Sequence, residues 1–212
     1  VDAISRKFKF RQVKAAAVAA LEHAAEELGI TPEELADRIV PDLGFSADGR
    51  RIFDYGPRSF TVRLTPTMEL EITNDSGKTV KNLPAPGKTD DEEKANAAYS
   101  EFKTMKKQMR TTVTAQKNRL EAALASLRCW SGEAWQALFV KNPIMHQFAM
   151  SLIWGVYEGD RLQTTFRYME DGSFNTVDEE EYQLPEGARI GIVHPVELTG
   201  ETLAAWKQQL ED

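Results

Sequence analysis

Residues 90–127 carry the feature that most constrains this fold. Small or apolar side chains recur there at Ala95, Ala98, Phe102, Met105, Met109, Val113, Leu120, Leu124 and Leu127, with Gln116 as the single polar interruption. From Phe102 onward the steps are three or four residues, the spacing of one helical face. No Gly or Pro breaks the stretch. At ~1.5 Å per residue such a helix spans roughly 55 Å, wider than a small domain. Its stripe must be covered, and it separates two segments patterned as β-hairpins.

Before it, Val1 to Arg11 is basic without clear periodicity and reads as a frayed end. Val13 to Leu28 reads as a helix with Ala16, Ala17, Ala20, Leu21, Ala24 and Leu28 on one face and Gly29 as its C′ residue. So much alanine on one side implies close packing against another helix. Thr31 to Glu34 spells a helix start: Thr31 as N-cap, Pro32 at N1 and Glu34 closing a capping box, with Leu35, Ile39 and Val40 as the buried side. Two short helices joined by a turn match a helix-turn-helix reader of DNA, but fit a packing pair at the end of a helical array better. Arg51 to Tyr55, Ser59 to Leu64, Met68 to Thr73 and Thr79 to Leu83 read as strands of an antiparallel meander with one wet face, Phe60, Val62 and Leu64 pointing inward.

After the long helix, Ser131 caps a short helix that buries Trp135, Leu138 and Phe139, and Asn142-Pro143 starts another with Ile144, Phe148 and Leu152. Trp154 to Tyr157 and Leu162 to Tyr168 alternate as strands. In the second, Leu162, Thr164, Phe166 and Tyr168 face one way and Gln163, Thr165 and Arg167 the other. Asp171-Gly172 is a hairpin turn. Arg189 to Val193 is a nearly all-apolar strand ended by His194-Pro195, and a last helix carries Leu203, Trp206 and Leu210 inward. The expected fold is α+β and helix-rich, with two small antiparallel β units joined by one long central helix. Its segments are a helical pair (1–45), a first β unit (46–88), the long helix with short helices (89–153), and a second β unit with a C-terminal helix (154–212).

The bulk numbers narrow the function classes. A net charge of −7 argues against a whole surface built for nucleic acid or anionic membrane, but leaves room for a local patch. The single Cys129 rules out an internal disulfide framework and fits a cytoplasmic, reducing compartment. No apolar run is long enough to span a membrane. The chain starts with Val and ends on Glu211-Asp212 just after a helical pattern, as a piece of a longer protein would.

No catalytic or ligand motif of real specificity is present. His23, His146 and His194 lack a partner at metal-ligand spacing, and no glycine-rich phosphate loop occurs, so neither a metal nor a cofactor is expected. Cys129 beside Trp130 reads as a small buried hydrophobe. Two constellations stand out. Between Glu101 and Glu121 there are six basic residues and no acid. Five of them, Lys103, Lys106, Lys107, Arg110 and Lys117, cluster on one helical face about 95° from the apolar stripe. This ridge either touches phosphates or is a solvated face paired with the chain's own acids, such as Asp178 to Glu181. The second constellation is Asp54 and Arg58, packed in one turn with Tyr55, together with His194 at a strand end, where functional groups are often presented.

Several phrases jointly suggest a family. They are Pro32-Glu33-Glu34-Leu35-Ala36-Asp37-Arg38, Val40-Pro41-Asp42-Leu43-Gly44, Asp54-Tyr55-Gly56-Pro57-Arg58 and Phe60-Thr61-Val62-Arg63-Leu64, then Trp154-Gly155-Val156-Tyr157, Glu170-Asp171-Gly172-Ser173-Phe174, and Pro185-Glu186-Gly187-Ala188-Arg189 running on to His194-Pro195. The chain resembles, from about Ala15 to Trp206, the uncharacterised bacterial domain in the C-terminal part of large MolR-like proteins. The resemblance implies a long protein with helical repeats and sometimes a WGR domain, a nucleic-acid-associated module, and a role as regulator. It implies no activity, cofactor or catalytic residue.

Three readings follow. The first is a non-catalytic interaction module that contacts other parts of its own longer chain or a protein partner through the ridge. The second is nucleic-acid binding through that ridge. The third is an enzyme with a site near His194, Asp54 and Arg58. No membrane contact is expected.

Overall fold

A computed structural model describes residues 2–211, with side chains from Lys9 to Leu210. The architecture is α+β, and the chain divides into two compact units, residues 1–41 and 42–212.

The first unit is a helical pair. Helix α1 runs Asp2–Leu28. It therefore starts well before Val13, and the stretch expected to fray is helical from Asp2. Gly29 lies at φ +66° and ends the helix: its N–H reaches the Glu26 carbonyl and that of Ile30 the Ala25 carbonyl, both at 3.0 Å. Helix α2, Pro32–Arg38, carries the expected capping box. The Thr31 hydroxyl accepts the Glu34 N–H at 3.1 Å, and the Glu34 carboxylate accepts the Thr31 N–H at 2.8 Å. Ala25 and Leu35 are buried, but Ile39 is exposed because α2 stops at Arg38 and Ile39 is only its C-cap.

The second unit begins with a four-stranded meander, β1 (Arg50–Asp54), β2 (Ser59–Leu64), β3 (Leu70–Asn74) and β4 (Thr79–Val80), paired in that order and antiparallel throughout. Phe53, Phe60, Val62, Leu64 and Ile72 fill one face. Met68 falls outside β3, in a turn at φ +61°.

Helix α3, Glu92–Ala125, lays Ala95, Ala98, Phe102, Met105 and Met109 on that face, with Phe53 and Phe102 meeting edge to face at 5.4 Å. The helix is two residues shorter at each end than its pattern. At the start, Asp91 is the N-cap, accepting the Lys94 N–H at 3.0 Å, while Asp90 turns away to Arg58. At the end, Leu127 takes a left-handed conformation, φ +53°. The Arg128 N–H returns to the Ala123 carbonyl (2.9 Å) and the Leu127 N–H to the Leu124 carbonyl (3.3 Å), a Schellman closure that leaves Leu127 exposed. In the second half of α3 the buried line passes through Thr112, Gln116, Leu120 and Ala123, with Val113 and Leu124 at its edge. The polar Gln116 is accommodated because its Oε1 accepts from Arg119 at 2.7 Å.

The second sheet has the order β5-β9-β6-β7-β8, again antiparallel. Its strands are β5 (Cys129–Ser131), β6 (Ile153–Glu158), β7 (Arg161–Tyr168), β8 (Phe174–Asn175) and β9 (Arg189–Ile192). Strand β5, unexpected from the sequence, adds Trp130 opposite Ile190. One face is an aromatic cluster. Trp135, at the end of short α4 (Gly132–Trp135), meets Trp154, Phe166, Tyr168 and Phe174 at centroid distances of 5.2–6.0 Å. A π-helical turn (Gln136–Val140) adds Phe139, and α5 (Pro143–Met150) adds Ile144 and Met145.

The opposite face is also covered. The 3₁₀ turn Pro195–Glu197 and α6 (Gly200–Glu211) set Leu198 and Trp206 beside Val193 and Leu162. Thr165, on the face opposite Phe166, is therefore buried, and it accepts the Trp206 indole N–H at 2.8 Å. Leu210, expected inward, is half exposed at the end of α6. Among the described residues no helix is long and apolar enough to cross a membrane.

Candidate interaction surface

The ridge follows from the sequence of α3. Bases at 103, 106, 107, 110 and 117 fall within one arc of the helix because helical positions three, four and seven apart share a face. Lys103, Lys107, Arg110 and Lys117 are exposed and Lys106 is half-buried. Lys103 Nζ sits 4.1 Å over the Tyr99 ring, a cation–π contact.

Elsewhere in the same unit, bases hold carboxylates. Arg51 pairs with Glu101, Arg58 with Asp90, Arg63 with Glu170 and Lys94 with Asp54. Among the described residues, none of the five ridge cations forms an ion pair, with Asp178 to Glu181 or with any other acid. The ridge thus sets five cations without ion pairs, among the described residues, along about 21 Å of helix.

Asp54 and Arg58 come together where the β1–β2 turn docks on the start of α3. The Asp54 carboxylate accepts the Gly56 N–H at 2.7 Å and lies 3.2 Å from Lys94 Nζ, and these two bonds hold it below the usual carboxylate range. Arg58 grips Asp90 with two N–H groups, each at 2.8 Å, and stacks over the Tyr55 and Phe60 rings. Gly56 lies at φ +85°, and a Cβ there would come within 2.7 Å of the Asp91 Cβ. All of these groups are spent on fastening the turn to the helix.

His194 stands apart from them, directly after β9. Its Nδ1 accepts the Val196 N–H at 3.2 Å, and its own N–H donates to Glu197 Oε2 at 2.8 Å, a capping box for the 3₁₀ turn. Both oxygens of Glu197 also receive the Tyr157 hydroxyl, at 3.0 and 3.1 Å. No described contact joins His194 to Asp54 or Arg58. Cys129 is half-buried, and burial pushes its thiol up, against the thiolate that a nucleophile needs.

Sequence reasoning missed a cleft of about 380 Å³ between β7, the 176–180 segment, the 3₁₀ turn and α6. Thr164, Thr176, Asp178, Glu197 and Thr202 line it, and no ridge residue does. Its walls come from four separate segments, so no local motif announces it.

A family model described as a domain of unknown function (DUF4132) matches residues 77–212. An uncharacterized protein of Escherichia coli (strain K12), YehI, is 36% identical over 212 residues, which is 99% of this chain and 18% of that protein. The chain thus spans less than a fifth of that relative's length. No solved structure matches.

Proposed function

The chain belongs to that family of domains of unknown function, and from this premise we propose that it is a non-catalytic interaction module of a long bacterial protein, with the basic ridge of α3 as its contact. The partner is an acidic polypeptide surface, on its own longer chain or on another protein. One observation carries the reading. The chain has 33 acids against 26 bases, yet Lys103, Lys106, Lys107, Arg110 and Lys117 hold no carboxylate among the described residues. Exposed ion pairs add little stability, so leaving these cations unpaired costs the fold little while keeping their field available to a partner. We assign the longer protein a cytoplasmic, regulatory role of the MolR-like, WGR-associated kind, in line with the resemblance of its phrases.

A second reading, nucleic-acid binding, is favoured by the placing of all five bases on one helix, since a row of bases along a helix suits a phosphate backbone. No run of exposed aromatics lies among the bases, so contact would be to backbone rather than to stacked bases.

One experiment separates the two. The chain is titrated with the rest of its full-length protein, with duplex DNA and with RNA, each at two salt concentrations. Wild type is compared with the combined variant Lys106→Glu, Lys107→Glu, Arg110→Glu. Association with the polypeptide that the variant loses supports the first reading. Binding to DNA or RNA with a steep salt slope that flattens in the variant supports the second. Equal behaviour of wild type and variant toward all three removes the ridge from both.

A further inference from the structure

Helix α1 carries an apolar line of its own: Phe10, Val13, Ala17, Leu21, Ala24 and Leu28, at steps of three or four. Helix α2 buries Ala25 and partly shields Leu21 and Ala24, but Phe10, Val13 and Leu28 are 71%, 68% and 61% exposed. Alanine fills positions 15, 16, 17, 19 and 20, so the middle of the helix is slim and a second helix can approach closely.

After Asp2, the charges of α1 are divided by halves. Lys9, Arg11 and Lys14 lie in the first part, Glu22, Glu26 and Glu27 in the last, and the final turn holds no base. This is the unfavourable order for the helix's own dipole, which prefers acids early and bases late. Their placement therefore calls for a different complement. All six are exposed. Glu27 has a neighbour in His23 at 3.6 Å, and the other five form no ion pair among the described residues.

Position along the helix supplies that complement. At ~100° per residue, Lys9 and Glu27 share one angle about 80° to one side of the apolar line, while Lys14 and Glu22 lie on the other side, about 55° and about 135° from it. Both pairs are symmetric about position 18. Phe10 with Leu28 and Ala17 with Leu21 are symmetric about position 19, ~1.5 Å further along. A two-fold axis across the middle of α1 brings each flank against the same flank of an antiparallel second helix. Lys9 then lies beside Glu27 of the second copy, Lys14 on the same side and level with Glu22, and Phe10 against Leu28. A parallel arrangement sets like charges together.

We propose that α1 pairs antiparallel with α1 of a second copy of this chain, an isologous contact closed by two-fold symmetry. The contact uses none of the α3 ridge residues and stands or falls independently of that reading.

Sedimentation equilibrium of the 212-residue chain at low and high salt tests this. The comparison includes two double variants, Lys9→Glu with Lys14→Glu, and Glu22→Lys with Glu27→Lys. Both sets of changes suit the helix dipole better than the native charges, so helix loss does not explain a lost dimer. All four tryptophans lie between residues 130 and 206, so near-UV circular dichroism reports the rest of the fold separately. The expected result is a two-chain mass for wild type that weakens with salt, a one-chain mass for each variant alone, and a two-chain mass when the variants are mixed. A one-chain mass for wild type at low salt up to the solubility limit overturns the proposal. So does a two-chain mass retained by both variants alone, or a mixture that stays at one chain.

Discussion

Gly155 and Gly191 stand opposite each other across β6 and β9, and the ring of Tyr157 lies over both. A Cβ on Gly155 would sit 2.5 Å from Leu162 Cδ1 and 2.9 Å from both Tyr157 Cε2 and Val193 Cγ2. On Gly191 it would sit 3.0 Å from Tyr157 Cε2 and 3.2 Å from Cys129 Sγ. The two glycines make the floor on which the Tyr157 ring rests, and that ring position lets its hydroxyl reach Glu197. Gly155→Ala is expected to destabilise the second unit by about 1–3 kcal/mol, the usual cost of overpacking, and Gly191→Ala by less. Urea unfolding followed by tryptophan fluorescence measures both. Equal or reversed effects would contradict the packing described.

The Trp206 indole N–H has its acceptor in Thr165 Oγ1, both side chains being buried. Thr165→Val keeps the shape but orphans the donor, and should cost about 1–3 kcal/mol. Thr165→Ser keeps the oxygen and should cost less. If the two variants unfold at the same denaturant concentration, the hydrogen bond is not what matters at this position.

Arg58 and Asp90 link a strand turn to the residue before the N-cap of α3, and the Gly87 N–H adds a third bond to the carboxylate at 2.7 Å. Chiefly the Arg58 hydrogen bonds hold the Asp90 carboxyl below its ordinary value of 3.8. A carboxyl lowered in this way contributes stability that is present above 3.8 and is lost as pH falls through the folded value. Asp90→Asn should therefore lower the melting temperature by several degrees at neutral pH. The gap to wild type should close in acid. A gap that stays constant with pH would assign the effect to packing instead.

His146 faces the Tyr168 hydroxyl at 3.2 Å, and burial holds its imidazole below the ordinary 6.5. The folded state thus binds its proton later than the unfolded state. The stability it contributes is full above 6.5 and is lost as pH falls through the lower folded value. Urea midpoints recorded from neutral to mildly acidic pH should fall for wild type and stay flatter for His146→Gln, which cannot take up the proton. Parallel curves would place the acid sensitivity elsewhere.

Features governed by near neighbours were legible in the residues. The capping box of Thr31 and Glu34, the closing Gly29, the alternation of Ser59 to Leu64 and the stripe of α3 through Met109 each depend on contacts within a few residues. The charge ridge was legible for the same reason, since helix geometry alone places its members on one face. That it carries no counter-ion among the described residues was not, because pairing depends on which acids the fold brings near.

What the sequence by itself determined is most of the elements and their faces, and the run of bases on α3. These follow from backbone periodicity and local hydrogen bonding. Only the tertiary structure decided that both faces of β7 are covered, that Thr165 is therefore inside, and that β5 joins β9. It also decided that Arg58 spends its charge on Asp90, 32 residues away. The reason is physical. A strand's alternation names two faces but not what will cover them, and a side chain's partner is set by segments brought close in space, which spacing along the chain does not encode.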